Sequence, residues 1–138
     1  AGNTPGATES WDAATFAKSF APIEGLGVMD LVDPGHAYTP SLTSEHTPGH
    51  TPGHLSFVLR SAGETCVILG DVAFNPIDAA EATWRVGWDE DPEVAVKTRV
   101  ATLARLDAEG PLVATSHFPP PTFGHFVQEG GRRRWRVV

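Results

Sequence analysis

Between Glu45 and His54 the chain reads Glu45-His46-Thr47-Pro48-Gly49-His50-Thr51-Pro52-Gly53-His54, with histidines at every fourth position and an apolar run directly after them. That spacing would align three rings on a helix, but this segment cannot be helical. Pro48 and Pro52 lack a backbone donor and disfavour the α conformation in the residue before them, while Gly49 and Gly53 supply turn conformations. The rings of His46, His50 and His54 therefore project from a loop that leads into a strand, at the edge of a sheet. Neutral imidazole is the commonest side-chain metal ligand. A single histidine in a turn more often bonds to backbone, so the choice between the two uses depends on what else reaches the same edge.

The rest of the chain supplies a sheet. Trp11, Ala14, Phe16 and Phe20 recur at near-helical spacing and predict a helix over 8–20, with Thr8 or Ser10 as N-cap and Pro22 as its stop. Residues 27–32 predict a strand and Ala37 to Ser44 an extended lead into the histidine loop. Leu55 to Arg60 and Thr65 to Leu69 predict a strand pair around a turn at 61–64, the second strand apolar throughout as one buried on both faces would be. Asp91-Pro92-Glu93 predicts a helix start, and Val94, Thr98, Ala101, Leu103 and Leu106 predict its apolar face, up to Gly110. Pro111 to Thr115 predicts a buried strand. A Pro119-Pro120-Pro121 turn, a strand through Phe123 to Val127 and a terminal strand of alternating Arg, Trp and Val complete the pattern. Residues 1–7 have the composition of a flexible lead-in, and residues 8–138 predict one domain.

Composition removes several functions. The chain has 138 residues, with 10 Lys+Arg against 17 Asp+Glu and a net charge of −7, which disfavours nucleic acid and anionic membranes as partners. Arg132-Arg133-Arg134 is the exception, and its alternation with apolar residues predicts exposed charges on a strand. One cysteine, Cys66, excludes an internal disulfide. No stretch approaches the ~20 apolar residues of a membrane span. The expectation is a soluble protein, cytoplasmic by default. The chain starts at Ala1, which fits processing, a boundary or a fragment.

Two more strand ends carry ligand-type groups. Leu69-Gly70-Asp71 puts an acid where a core strand emerges, and Ser116-His117 ends the strand before the proline turn. An aspartate in such a place commonly caps the next turn; beside His50 and His117 it completes a donor set suited to zinc or a first-row relative. Spacing alone does not bring the three ends together.

These residues resemble a known family. Thr47-Pro48-Gly49-His50-Thr51-Pro52-Gly53-His54, the Leu69-Gly70-Asp71 turn and Ser116-His117 are similar, in order and separation, to motifs of the metallo-β-lactamase fold of metal-dependent hydrolases. Phe118-Pro119-Pro120-Pro121-Thr122-Phe123-Gly124-His125 resembles a segment of the branch that contains methyl parathion hydrolase and related esterases. Asn75-Pro76, Trp88, Asp89-Glu90-Asp91-Pro92 and Thr98-Arg99 also fit that branch. The resemblance implies His50 as ligand of one metal, Asp71 as the bridge between two and the catalytic residue of this half, and His117 as ligand of the second. His54 and His125 are expected behind the ligands. It implies an ester, lactone or phosphotriester substrate, with Trp84, Trp88, Phe118 and Phe123 as candidate lining of an apolar pocket.

The resemblance covers only half of the fold. The family signature His-x-His-x-Asp-His is missing, since no two of the six histidines (His36, His46, His50, His54, His117, His125) are separated by one residue. The whole fold is an αβ/βα sandwich of two pseudo-twofold halves; this chain is expected to be the carboxy-terminal half, an α/β unit with one mixed sheet and helices on one face. The absent half would supply a ligand pair for each metal. Three readings follow: a hydrolase half whose complement lies elsewhere, a half-domain that assembles with itself and binds metal weakly or not at all, and a metal-free binding module. Leaving ~600 Å² of apolar sheet bare would forgo roughly 15 kcal/mol, the scale of a whole domain's stability. A homodimer, or a heterodimer with the missing half, is therefore expected to bury the strands that carry Phe57 and Val67.

Overall fold

The computed structural model of the chain describes residues 13–138. They form two compact units, one ending at Asp33 and one running from Pro34 to Val138. In the first, α1 (Ala13–Ser19) and α2 (Ala21–Gly25) are short helices. Residues 8–12 of the expected first helix lie outside the described residues. Pro22 does not end the helical segment; it sits in the first turn of α2, where its missing N–H costs nothing. The strand expected over 27–32 is absent: residues 28–33 carry no regular structure, and Val28 and Leu31 are exposed. Val28, Met29, Leu31 and Val32 suit a strand, but among the described residues no strand pairs with this stretch, and an isolated strand is not stable in water.

The second unit is built on one six-stranded mixed sheet. Its strands are β1 (Leu42–His46), β2 (Leu55–Ser61), β3 (Glu64–Ile68), β4 (Leu112–Ala114), β5 (Phe123–Glu129) and β6 (Arg132–Val137), in spatial order identical to chain order. All neighbours are antiparallel except β3 and β4, which run parallel. That exception decides where the site lies. Parallel β3 and β4 send their carboxy ends to the same edge, and the antiparallel β1–β2 turn opens at that edge too. The histidine loop, Asp71 and His117 are thereby brought to one end of three adjacent strands.

Between β3 and β4 the chain makes a single 3₁₀ turn (Gly70–Val72), then α3 (Pro76–Ala80) and α4 (Pro92–Glu109). The α4 limits follow the sequence reading: the Asp91 carboxylate accepts from the Glu93 and Val94 N–H groups, and Gly110 ends the helix in the left-handed region. Its buried face follows it only in part, at Leu103 and Leu106. Ala95, Arg99, Thr102, Leu103 and Leu106 are buried, whereas Ala101 is exposed. The charge on Arg99 hid this face from an apolar-periodicity reading. No helix was expected at α3, where Asn75 accepts from Ile77 N–H and Asp78 from Asn75 N–H, a capping box closed within a few residues.

Register separates the two faces of the sheet. Val58, Val67 and Val113 stand side by side across β2, β3 and β4, each fully buried, and pack with Leu103, Leu106, Val72, Phe118 and Phe126 into one core. Arg105 of α4 pairs with Glu45 on this side, and Arg133 of β6 turns inward to bond Asp107 at 2.7 Å and the Ala79 carbonyl at 2.8 Å. The expectation that the terminal arginines are all exposed fails at Arg133 alone among 132–134. On the other face, Phe57, Ile68, Ala114 and Phe123 form one cross-strand row, with Leu59, Cys66 and Leu112 in the next. Leu59, Ile68 and Phe123 are 41%, 40% and 49% exposed. Phe57 and Val67 therefore lie on opposite faces, Val67 in the helical core and Phe57 on the face that carries the exposed Leu59, Ile68 and Phe123.

Removing side chains from the two faces should have unequal cost. Leu103→Ala is expected to lose about 2–5 kcal/mol of folding stability, because it empties a closed core site. Leu59→Ala should lose less than about 1 kcal/mol in the dissociated chain. Urea unfolding at low protein concentration measures both; equal losses would place Leu59 in a closed core.

Candidate functional site

The site begins with a turn that only glycine can make. Gly70 has φ +62, and a Cβ added there would lie 2.6 Å from His54 Nε2. This close approach lets the Asp71 N–H donate to His54 Nε2 at 2.8 Å. A nitrogen that accepts cannot carry the proton, so His54 holds it on Nδ1, which stands 2.9 Å from both the carbonyl and the hydroxyl of Thr47. The Thr47 hydroxyl meets Ser56 Oγ at 3.0 Å, and Ser56 Oγ donates to the Leu69 carbonyl at 2.8 Å. The bonds close a ring from Leu69 to Asp71 around the end of β3. Burial pushes the His54 pKa below the usual histidine value, more than its hydrogen bond to Thr47 and the nearby Asp71 carboxylate raise it. His54 is a neutral, partly buried brace behind Asp71.

Asp71 then presents one oxygen to each of two imidazoles. Oδ2 lies 3.4 Å from His50 Nε2, and Oδ1 lies 3.1 Å from His117 Nε2. Two donors on one tetrahedral ion at about 2.1 Å would stand about 3.4 Å apart, so each carboxylate–imidazole pair has the spacing of one edge of a coordination shell. The fit is that of two donor pairs sharing a carboxylate. It is not that of one triad: among the described residues no group of three or more His, Cys, Asp or Glu side chains has the arrangement of a formed metal site.

His50 owes its place to a second close approach. Gly49 has φ +131, and a Cβ there would meet the Ala95 backbone at 2.3 Å, so the histidine loop lies directly against the first turns of α4. Glu90 N–H donates to the His50 carbonyl at 3.1 Å and Asp91 N–H to the Gly49 carbonyl at 2.9 Å. His50 Nδ1 faces Asp89 Oδ1 at 3.4 Å, and Asp89 Oδ2 accepts from Arg99 Nη2 at 3.2 Å. Phe74 fills the angle between His50 and His117, its ring 5.3 Å from that of His50 and 5.4 Å from that of His117, with Trp88 6.0 Å away. His117 itself is more than half exposed.

The remaining expected residues go elsewhere. His46 Nε2 donates to or is held at the Pro52 carbonyl at 2.8 Å, inside its own loop. His125, expected behind the ligands, bonds Pro111 O at 2.9 Å, at the opposite end of β4 from His117. The antiparallel register of β5 carries it along the strand, past Gly124, to the amino end of β4 and away from the site. Phe118 cannot line a pocket, because it is buried in the core against Phe126 and Trp135. Phe123 belongs to the open sheet face, while Trp84 and Trp88 are exposed. Asp89, Arg99 and Phe74 were missed as site residues. The available signal for the first two was their place in Asp89-Glu90-Asp91-Pro92 and Thr98-Arg99, the segments that fit the resembled branch.

The match to the metallo-β-lactamase superfamily model spans residues 8–117. The chain belongs to that superfamily. Among solved structures it is similar to the hydrolase AbOPH of the β-lactamase superfamily, at 27% identity and TM-score 0.77, over 91% of this chain and 43% of that one. It also resembles AidC, a dizinc quorum-quenching lactonase with bound product, at 18% identity and TM-score 0.75, over 94% of this chain and 48% of that one. A probable metal-dependent hydrolase from Staphylococcus aureus aligns at 15% identity and TM-score 0.70, over 82% and 41%. The chain thus spans less than half the length of these structures, as a half-fold would. No curated protein matches it. No helix among the described residues is long and apolar enough to cross a membrane.

Gly70→Ala should destabilise the chain by at least about 1–2 kcal/mol from the left-handed backbone alone, and more as the added methyl displaces His54. Gly53→Ala, with open space around it, should be close to neutral. Paired urea melts check this; a harmless Gly70→Ala would mean that His54 does not brace Asp71.

Proposed function

We propose that this chain is the carboxy-terminal half of a metal-dependent hydrolase, of the branch resembling methyl parathion hydrolase, acting on an ester, lactone or phosphotriester with zinc as its metal. The observation that carries the reading is Asp71, one oxygen on His50 and the other on His117, at the shared end of three strands. In this reading His50, Asp71 and His117 would hold the metal, with Asp71 as the shared catalytic residue between the two histidines. Divalent ions there would supply Lewis-acid polarisation of the scissile carbonyl or phosphoryl group and activation of water. The protein's own part is to orient: His54 fixes the Asp71 backbone, and Phe74 and Trp88 keep an apolar wall beside the ligand pair.

Two donors per ion are too few for a closed site, so the remaining ligands come from a complementary half seated on the face of Phe57, Leu59 and Ile68. The small-molecule substrate would enter at that junction. The same shortage favours a second reading, a self-associating half-domain without catalysis that binds metal weakly or not at all, in which a second copy covers that face about a twofold axis.

Zinc titration of the purified chain should show weak uptake that His50→Ala and His117→Ala each reduce and His125→Ala leaves unchanged. Equal losses at His117 and His125, or no uptake, would sink the metal assignment. Turnover of aryl esters or lactones by the chain alone should be near background and rise on adding a first-half chain that carries the other ligands.

Association is tested separately by sedimentation across a concentration series. Ile68→Glu should shift the chain toward monomer by at least tenfold in dissociation constant, without loss of helical signal. A folded wild-type monomer at micromolar concentration that binds no hydrophobic dye would show the open face to be covered within one chain.

A further inference from the structure

His50 Nδ1 and Asp89 Oδ1 are buried and lack any other hydrogen-bond partner, yet they face each other at 3.4 Å. The Asp89 side chain is fully buried. Its second oxygen is taken by Arg99, itself 1% exposed, whose Nε donates to the Val72 carbonyl at 2.7 Å and whose Nη1 donates to the carbonyls of Trp84 at 2.7 Å and Ala82 at 3.5 Å. The guanidinium has donors only, so every partner it holds is an acceptor and Asp89 cannot turn. Main-chain bonds from Glu90 and Asp91 to the histidine loop fix the remaining freedom.

A carboxylate oxygen and a ring nitrogen buried face to face are costly unless a proton lies between them. Neutral imidazole has one donor and one acceptor, and the carboxylate can only accept. Both carboxylates stand 3.4 Å from the His50 ring, but that of Asp71 is partly exposed while that of Asp89 is dry, so the bond to Asp89 is the less screened. We propose that Asp89, clamped by Arg99, is the positioning residue that keeps the His50 proton on Nδ1 and turns the Nε2 lone pair toward Asp71, the form in which the ring binds a divalent ion. The part that concerns metal rests on the function proposed above; the ring tautomer does not.

The test uses nitrogen-15 spectra of the imidazoles in the metal-free full chain at about pH 8.5, above the ordinary histidine range. Wild-type His50 should show the Nδ1–H form. In Asp89→Asn, Arg99 retains the amide oxygen, the amide NH₂ faces His50 Nδ1, and the proton should move to Nε2. Zinc affinity, measured with zinc alone, should fall about 10–100-fold. An unchanged His125 ring signal shows that the variant is folded; should it not fold, the wild-type spectrum alone decides. An Nε2–H ring in the wild type, or an Asp89→Asn ring like the wild type, would overturn the proposal and leave Asp89 as a counter-ion of Arg99. If the wild type takes up no zinc, the metal reading fails while the ring spectrum still decides the role of Asp89.

Discussion

A guanidinium with no access to water sits at the centre of this unit. Arg99 cannot shed its proton, so its charge must be met inside the protein, and the acceptors that meet it come from three separate stretches of chain. The Val72 carbonyl belongs to the turn that carries Asp71. Ala82 and Trp84 belong to the irregular segment between α3 and α4, and Asp89 reaches His50. One buried side chain therefore sets the distance between two of the three strand-end groups, and removing any acceptor would leave a charge without compensation. The same burial makes the α4 face unusual, with an arginine among Ala95, Leu103 and Leu106.

The three strand-end groups are not held equally. Asp71 is braced from behind by the His54 ring of hydrogen bonds and from the side through Val72, while His50 is fixed by its loop backbone and faces Asp89. His117 meets Asp71 and the ring of Phe74 and is the most exposed of the three. Such a gradient suits the proposal that a complementary half completes the site. It agrees with an open sheet face beside the site, where Phe57, Leu59, Ile68 and Phe123 lie in cross-strand rows opposite the helical core.

Much of this was legible beforehand. Pro-Gly pairs forced the histidine run into a loop, Asp91-Pro92 and Gly110 marked both ends of α4, and the apolar runs at Leu55 to Arg60 and Thr65 to Leu69 marked a strand pair, because each of these signals acts on its own neighbours. The motifs at His50, Asp71 and His117 also identified the superfamily, since their order along the chain survives whatever the rest does. Where the reading failed, the missing information was a partner. The apolar stretch at 27–32 pairs with no strand among the described residues, and Pro22 began a helix where it was expected to end one.

Sequence by itself determined which groups stand at strand ends and that a sheet carries them, because turns, caps and alternation are local. Tertiary structure alone decided that β3 and β4 run parallel and so deliver Asp71 and His117 to one edge, that Phe57 and Val67 look to opposite sides, and that Arg99 and Asp89 belong to the site while His125 and Phe118 do not. Pairing direction and register depend on contacts between residues far apart in the chain. A buried charge gives no periodic signal of its own, because its burial is made possible only by acceptors that folding brings to it.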